Sequence, residues 1–134
     1  MATLTGSCLC ETVTFEVEDD FEHFQLCHCL QCQKSTGTAH ASNLFTTPAH
    51  LRWLSGESAI ERFDVEGRSI SNTFCRHCGS RVPWQSLSGE VMVIPAGCLD
   101  GAPSIRPKGH IFWPERAAWY DDVAALETHD TFMD

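Results

Sequence analysis

Seven of the eight cysteines in this 134-residue chain fall in three tight blocks, and their spacing restricts the fold more than any other feature. The blocks are Gly6-Ser7-Cys8-Leu9-Cys10, Cys27-His28-Cys29-Leu30-Gln31-Cys32 and Phe74-Cys75-Arg76-His77-Cys78-Gly79. In extended backbone, residues i and i+2 point to one face, so Cys8/Cys10 and Cys27/Cys29 can each present two sulfurs to one ion. A Cys-x-x-Cys pair closes a tight turn whose sulfurs converge, and a following glycine such as Gly79 readily takes the positive φ of such a knuckle. The opening residues, Met1-Ala2-Thr3-Leu4-Thr5, have neither the basic nor the apolar region of a signal peptide. A reducing, cytoplasmic setting is therefore expected, where thiolates bind metal more often than they pair.

Ligand counting gives the blocks a chemistry. Zinc takes four ligands in structural sites, and three plus an open position in catalytic ones. Cys8, Cys10, Cys75 and Cys78 can form a closed site, which leaves Cys27, Cys29 and Cys32 as an open one. Grouping Cys75/Cys78 with the central block instead leaves Cys8/Cys10 over, and spacing alone leaves both groupings open. Either way metal is expected, with two zinc ions per chain in the first grouping. Cys98, after an apolar run, reads as a small buried hydrophobe; a fourth ligand to the central block is the sharper alternative.

The rest of the chain predicts short strands nearly throughout. Thr12 to Glu18 alternates polar and apolar residues, placing Val13, Phe15 and Val17 on one sheet face. Further strands are predicted at 21–26, 41–45, 60–65, 69–74, 82–85 and 91–94, with a last strand starting at Ile111. Turn signals fall between them at Pro48, Ser55-Gly56, Glu66-Gly67, Ser88-Gly89 and Asp100-Gly101. Pro83 and Pro95 suit edges or strand ends. The helix candidates are residues 121–126 and one turn after Cys32. An all-β fold with minor helix, in a single domain over 1–134, is the expectation.

Charge excludes some functions. The net formal charge of −9 is concentrated at residues 11–22 and 115–134, which carry six acids each. The interval 23–114 has eight bases against six acids and can receive a small anion. Nucleic-acid binding wants a basic domain with clustered Lys and Arg, and is not expected. No apolar run approaches the ~20 residues of a membrane span. Phosphate loops, nucleotide fingerprints and Gly-x-Ser-x-Gly elbows are absent.

The three cysteine blocks, with Phe74-Cys75-x-x-Cys78-Gly79-Ser80, Ala96-Gly97-Cys98-Leu99-Asp100 and His110-Ile111-Phe112-Trp113…Ala118-Trp119-Tyr120, resemble the glutathione-dependent formaldehyde-activating enzyme (GFA) family, also called the centromere-protein-V domain. The resemblance spans roughly residues 5–121. It implies a zinc-pinned β-tent of the Mss4-like type, with the closed site at Cys8, Cys10, Cys75 and Cys78 and a second zinc at Cys27, Cys29 and Cys32. It further implies a carbon–sulfur lyase joining glutathione, or another small thiol, to a small aldehyde. The family often has arginine after the third cysteine of the central block; here Gln33-Lys34 stand there, which makes Lys34 the base expected to meet a substrate carboxylate. His110 falls where the family also places histidine, and both a structural and a proton-transfer role are open to it. The rival reading is a non-catalytic, zinc-stabilised binding module. Oligomeric state is not legible.

Overall fold

The computed structural model describes residues 2–133. Ten strands carry the fold: β1 (Thr3–Ser7), β2 (Thr14–Glu18), β3 (His23–Cys27), β4 (Ala41–Thr46), β5 (Leu51–Ser55), β6 (Ile60–Val65), β7 (Ile70–Cys75), β8 (Trp84–Gln85), β9 (Met92–Pro95) and β10 (Gly109–Ile111). They form a three-stranded sheet in the order β1-β2-β5, a five-stranded sheet β10-β3-β4-β9-β8, and the β6-β7 hairpin. The one α-helix among the described residues, α1 (Leu30–Thr36), follows β3. The expectation of a mainly β protein with minor helix therefore holds.

The main core lies between the first two sheets. Phe15 and Val17 of β2 meet Leu44 of β4 and Met92 and Ile94 of β9, with Phe24, Leu51 and Leu99 around them. A smaller cluster joins Cys8, Val13, Ala59, Cys75 and Val82. Val13, Phe15 and Val17 are all buried, as their alternation predicts. At Gly6 a methyl group would lie 2.7 Å from the Cys98 carbonyl oxygen and overlap the Phe15 ring, so β1 packs against the core only with glycine there.

Several elements depart from the sequence reading. β1 and β5 were not expected, because Thr3–Ser7 has one large apolar residue and the five residues Leu51–Ser55 sit directly between turn signals. The last strand ends at Ile111 instead of starting there, because Phe112 takes a left-handed φ of 54° and a 3-10 turn follows at Trp113–Glu115. Ala118–Ala125 is 3-10, not α-helical. The helical turn expected after Cys32 instead contains it, in α1, with Cys29 as N-cap.

The β-ladder explains what shares the outer face of the five-stranded sheet. Ile111 pairs with Cys27, Cys27 with Ala41, Phe45 with Val93, and Val93 with Trp84. Directly paired residues point the same way, and so do residues two apart on one strand. Ile111, Cys27, Asn43, Phe45 and Trp84 therefore project together, away from the main core. The β6-β7 hairpin closes over this face, with Ile70 packed against the cluster of Cys27, Cys29, Cys32 and Ala41.

Candidate metal centres and the adjoining cavity

Two sulfur clusters form, each with all its sulfurs within 4.8 Å of one another: Cys8, Cys10, Cys75 and Cys78, and Cys27, Cys29 and Cys32. This is the first of the two groupings that spacing permits. No disulfide joins any of the eight thiols.

In the four-cysteine cluster, Cys8 and Cys10 follow β1, Cys75 ends β7, and Cys78 lies in the turn beyond it. The Sγ atoms of Cys8 and Cys10 are 3.7 Å apart, and those of Cys10 and Cys75 3.8 Å. Four sulfurs placed tetrahedrally at the zinc–thiolate distance of ~2.3 Å stand about 3.8 Å from each other, so the quartet fits such an ion. The turns are built for it. Glu11 has a φ of 64° and Gly79 a φ of 76°, and the Gly79 amide donates to the Cys75 carbonyl at 2.7 Å. Amide N–H groups of Val13 and His77 donate to the sulfurs of Cys8 and Cys75 at 3.3 and 3.4 Å. The Ser80 hydroxyl beside Cys78 brings that thiol down to about 5, while burial pushes Cys8 up to about 11.

The three-cysteine cluster is buried throughout. Cys27 ends β3, Cys29 caps α1, and Cys32 lies one turn along, its amide donating to Cys29 Sγ at 3.3 Å. Hydrogen bonding from Cys32 lowers Cys27 to about 6; Cys32 itself is driven strongly upward by sharing with Cys27 and by burial. A shared-proton trio of this kind releases its protons to a cation. Cys98 joins neither cluster. Its thiol donates to the Pro95 carbonyl at 2.9 Å, and burial raises it to about 12, as for a packed hydrophobe.

Cys27 and Cys32 form part of the wall of a cavity of about 300 Å³. Its other walls are apolar (Phe45, Ile70, Ile111, Phe112) except for Asn43, Ser69, Arg68, Arg81 and the Trp84 indole. Arg81 donates only to neutral groups, Asn72 Oδ1 at 3.0 Å and the Ser71 carbonyl at 3.3 Å. Burial depresses its pKa, and interaction with Cys32 opposes that shift. Three thiolates on a dication would leave one net negative charge, and Arg81 beside Cys32 and Arg68 beside Cys27 and Cys29 are the cations that face the cluster. Arg68 donates to Glu115 Oε2 at 3.0 Å and stacks on Phe112, 4.6 Å from the ring centroid. The sequence reading missed Arg68, which reaches this wall only through the turn between β6 and β7.

Lys34 does not line this cavity. It is exposed on α1 and borders a neighbouring groove with Leu30, Ser35, Phe63 and Val65. Gln33 is structural: its side-chain amide donates to the carbonyls of His28 at 2.8 Å and Glu115 at 3.0 Å. His110 also lies off the cavity, with Nδ1 2.8 Å from His28 Nε2. His28 points away from the sulfurs, as alternation requires, but is more than a spacer. It is fully buried among His40, His110, Trp113 and Tyr120, with ring centroids 4.8–5.1 Å away. The Cys27–Cys29 segment thus shows the metal side to the cavity and its other side to an aromatic nest from the chain's last third.

Known proteins place this geometry. A crystal structure of a Rhodobacter sphaeroides protein superposes with a TM-score of 0.59 at 24% identity, covering 79% of this chain and 98% of that one; it shares the fold. No curated protein matches. The family model described as glutathione-dependent formaldehyde-activating enzyme matches residues 3–115, a span that contains both sulfur clusters. The chain belongs to the glutathione-dependent formaldehyde-activating enzyme (GFA) family.

Proposed function

We propose that the protein is a zinc-dependent carbon–sulfur lyase of the formaldehyde-activating type, joining glutathione or a related small thiol to a small aldehyde. The observation that carries this reading is the meeting of three convergent cysteine sulfurs with a mostly apolar cavity at Cys27 and Cys32. In it, Cys8, Cys10, Cys75 and Cys78 hold a structural zinc, and Cys27, Cys29 and Cys32 a second one. A zinc ion at the second site would supply an acceptor that lowers the pKa of an incoming thiol, or a Lewis acid for a carbonyl oxygen.

The chain's own residues prepare the site for that chemistry. Cys29 and Cys32 are fixed by the first turn of α1, and Cys27 by its pairing with Ala41 and Ile111. Arg81 offsets the cluster's negative charge, so a further anion enters a site that is close to neutral. Ile70, Ile111 and Phe112 give this part of the cavity apolar walls, which strengthens charge–charge contacts along them. His110 and Lys34 are assigned no contact with substrate; His110 supports His28 behind the metal ligands. Eight unpaired thiols suit work in a reducing compartment such as the cytoplasm. Among the described residues no helix is long and apolar enough to cross a membrane.

Measured zinc content together with calorimetry of glutathione binding tests the proposal. Two zinc ions per chain, and glutathione binding that is lost with Cys29→Ser, are expected. One zinc ion that survives Cys29→Ser, with no thiol binding, would leave a zinc-stabilised binding module.

A further inference from the structure

One carboxylate ties the roof of the cavity to the segment that carries the cysteines. Glu115 Oε1 accepts from the Leu30 amide at 3.2 Å, and its Oε2 accepts from Arg68 Nη2 at 3.0 Å. Leu30 follows Cys29 and is the first residue of α1, whose opening N–H groups have no partner within the helix. Arg68 lies in the turn between β6 and β7 and shares the cavity wall with Cys27 and Cys32. Its pKa is raised first by the bond to Glu115 and further by interaction with Cys29. Glu115 thus joins the backbone next to Cys29 to the guanidinium that faces the Cys29 side chain.

The turn that carries Glu115 is built for this reach. Phe112 adopts a φ of 54°, a left-handed conformation that a residue other than glycine keeps only where its surroundings enforce it. The kink ends β10, places the Phe112 ring against the Arg68 guanidinium, 4.6 Å from its centroid, and delivers Glu115 three residues on. The Glu115 carbonyl also accepts from Gln33 Nε2 at 3.0 Å, so main chain and side chain both fasten this turn to α1. The Arg68 and Glu115 side chains are only 32% and 28% exposed, which sets them apart from a solvated surface pair. Groups hydrogen-bonded behind metal ligands orient those ligands and support the metal. We propose that Glu115 is a positioning residue of the second metal site, holding the Cys29 segment through the Leu30 amide and the β6-β7 turn through Arg68. This rests on the reading that Cys27, Cys29 and Cys32 hold a metal ion.

The test uses the metal-loaded full chain. Glu115→Gln keeps the side chain's shape but leaves one acceptor where two are needed, and Arg68→Met removes the other end of the link. In chelator competition both variants release the second metal roughly 10- to 100-fold more readily, and the first metal as before. The combined variant loses no more than the worse single one, because both changes cut the same link. With cobalt at the second site the visible bands shift in both variants, which an ion pair serving fold stability alone would not cause. Arg62→Gln breaks the Arg62–Asp64 pair on the same hairpin, off this cavity, and leaves release and bands unchanged. Unchanged release and bands in Glu115→Gln and Arg68→Met, losses that add in the combined variant, or an equal loss with Arg62→Gln overturns the inference. Should the variants fail to fold, NMR of the unaltered protein decides. The Arg68 guanidinium resonances move as the second metal is added and those of Arg62 do not; unmoved Arg68 resonances overturn the inference. Glutathione separates it from the functional reading. A cobalt spectrum indifferent to glutathione, with the variant losses intact, refutes sulfur entry alone. A spectrum that responds, in variants that hold metal like the parent, refutes the role of Glu115 alone. A chain that takes up only the first metal refutes both.

Discussion

The sulfurs of Cys10 and Cys75 lie 3.8 Å apart, although sixty-five positions separate them in the chain. That contact ties the end of β1 to the end of the β6-β7 hairpin, the element that roofs the cavity. One cluster thus holds together the frame on which the other works. A metal bound by residues distant in sequence contributes its binding free energy directly to folding.

The two clusters should therefore respond differently to loss of a ligand. Cys75→Ala is expected to give unfolded or insoluble protein, and Cys32→Ala a folded protein with weakened second-site metal. Circular dichroism melts with elemental analysis check this; equal melting temperatures for the two variants contradict it.

Gly6 should not tolerate even one added methyl. The Cβ of Gly6→Ala meets the Cys98 carbonyl and the Phe15 ring, neither of which can move freely in the core. A loss of about 1–3 kcal/mol is expected, as for overpacking generally. Urea denaturation measures it, and an unchanged midpoint with unchanged slope would show that β1 does not pack as described.

His28 gives the fold a pH dependence. Burial first, then the neighbouring His40, His110 and Arg116, lower its pKa below the ordinary 6.5. As pH falls through 6.5 the unfolded chain takes up a proton that folded His28 refuses. The associated stability is present above pH 6.5 and declines until the lower folded pKa is passed. Ring resonances in NMR should show His28 titrating below 6.5, and His28→Gln should flatten the stability profile between pH 6.5 and the folded pKa. A His28 midpoint at or above 6.5 refutes the burial argument.

Arg81 should matter to the second site and not to the first. Arg81→Gln keeps hydrogen-bonding capacity toward Asn72 and Ser71 but removes the charge facing Cys32. Second-site affinity is expected to fall by roughly 10- to 100-fold, the range for groups that support metal ligands. Chelator competition that releases both metals at unchanged concentrations would contradict this.

Most of the metal chemistry was legible because it is local. Cys-x-Cys and Cys-x-x-Cys fix sulfur convergence within a turn, and only the pairing of blocks needed the fold or the family resemblance. The mainly β class was legible from alternation in segments such as Thr12–Glu18. The cavity was not. Cys27, Asn43, Phe45 and Trp84 share a face only through the strand order β3-β4-β9-β8, and Arg68 arrives across it from a hairpin turn. Such relations are set by register, which no short window contains. Lys34 illustrates the converse: two positions after Cys32 in sequence, it sits on the far side of a helical turn and points elsewhere. His28 read as a spacer because its importance lies in what packs behind it, residues 110–120.

The central claim is that the three-thiolate site accepts a sulfur from the substrate. Cobalt in place of zinc reports it most directly, because a fourth thiolate changes the visible and charge-transfer bands of a tetrahedral cobalt centre. On titrating the cobalt-loaded protein with glutathione, the spectrum should change saturably, and Cys29→Ser should abolish the change. S-methylglutathione, which keeps the peptide and both carboxylates but has no thiolate to give, should leave the bands where they were. Identical responses to the two peptides, or none to either, would contradict sulfur ligation and leave the domain a metal-stabilised binding module.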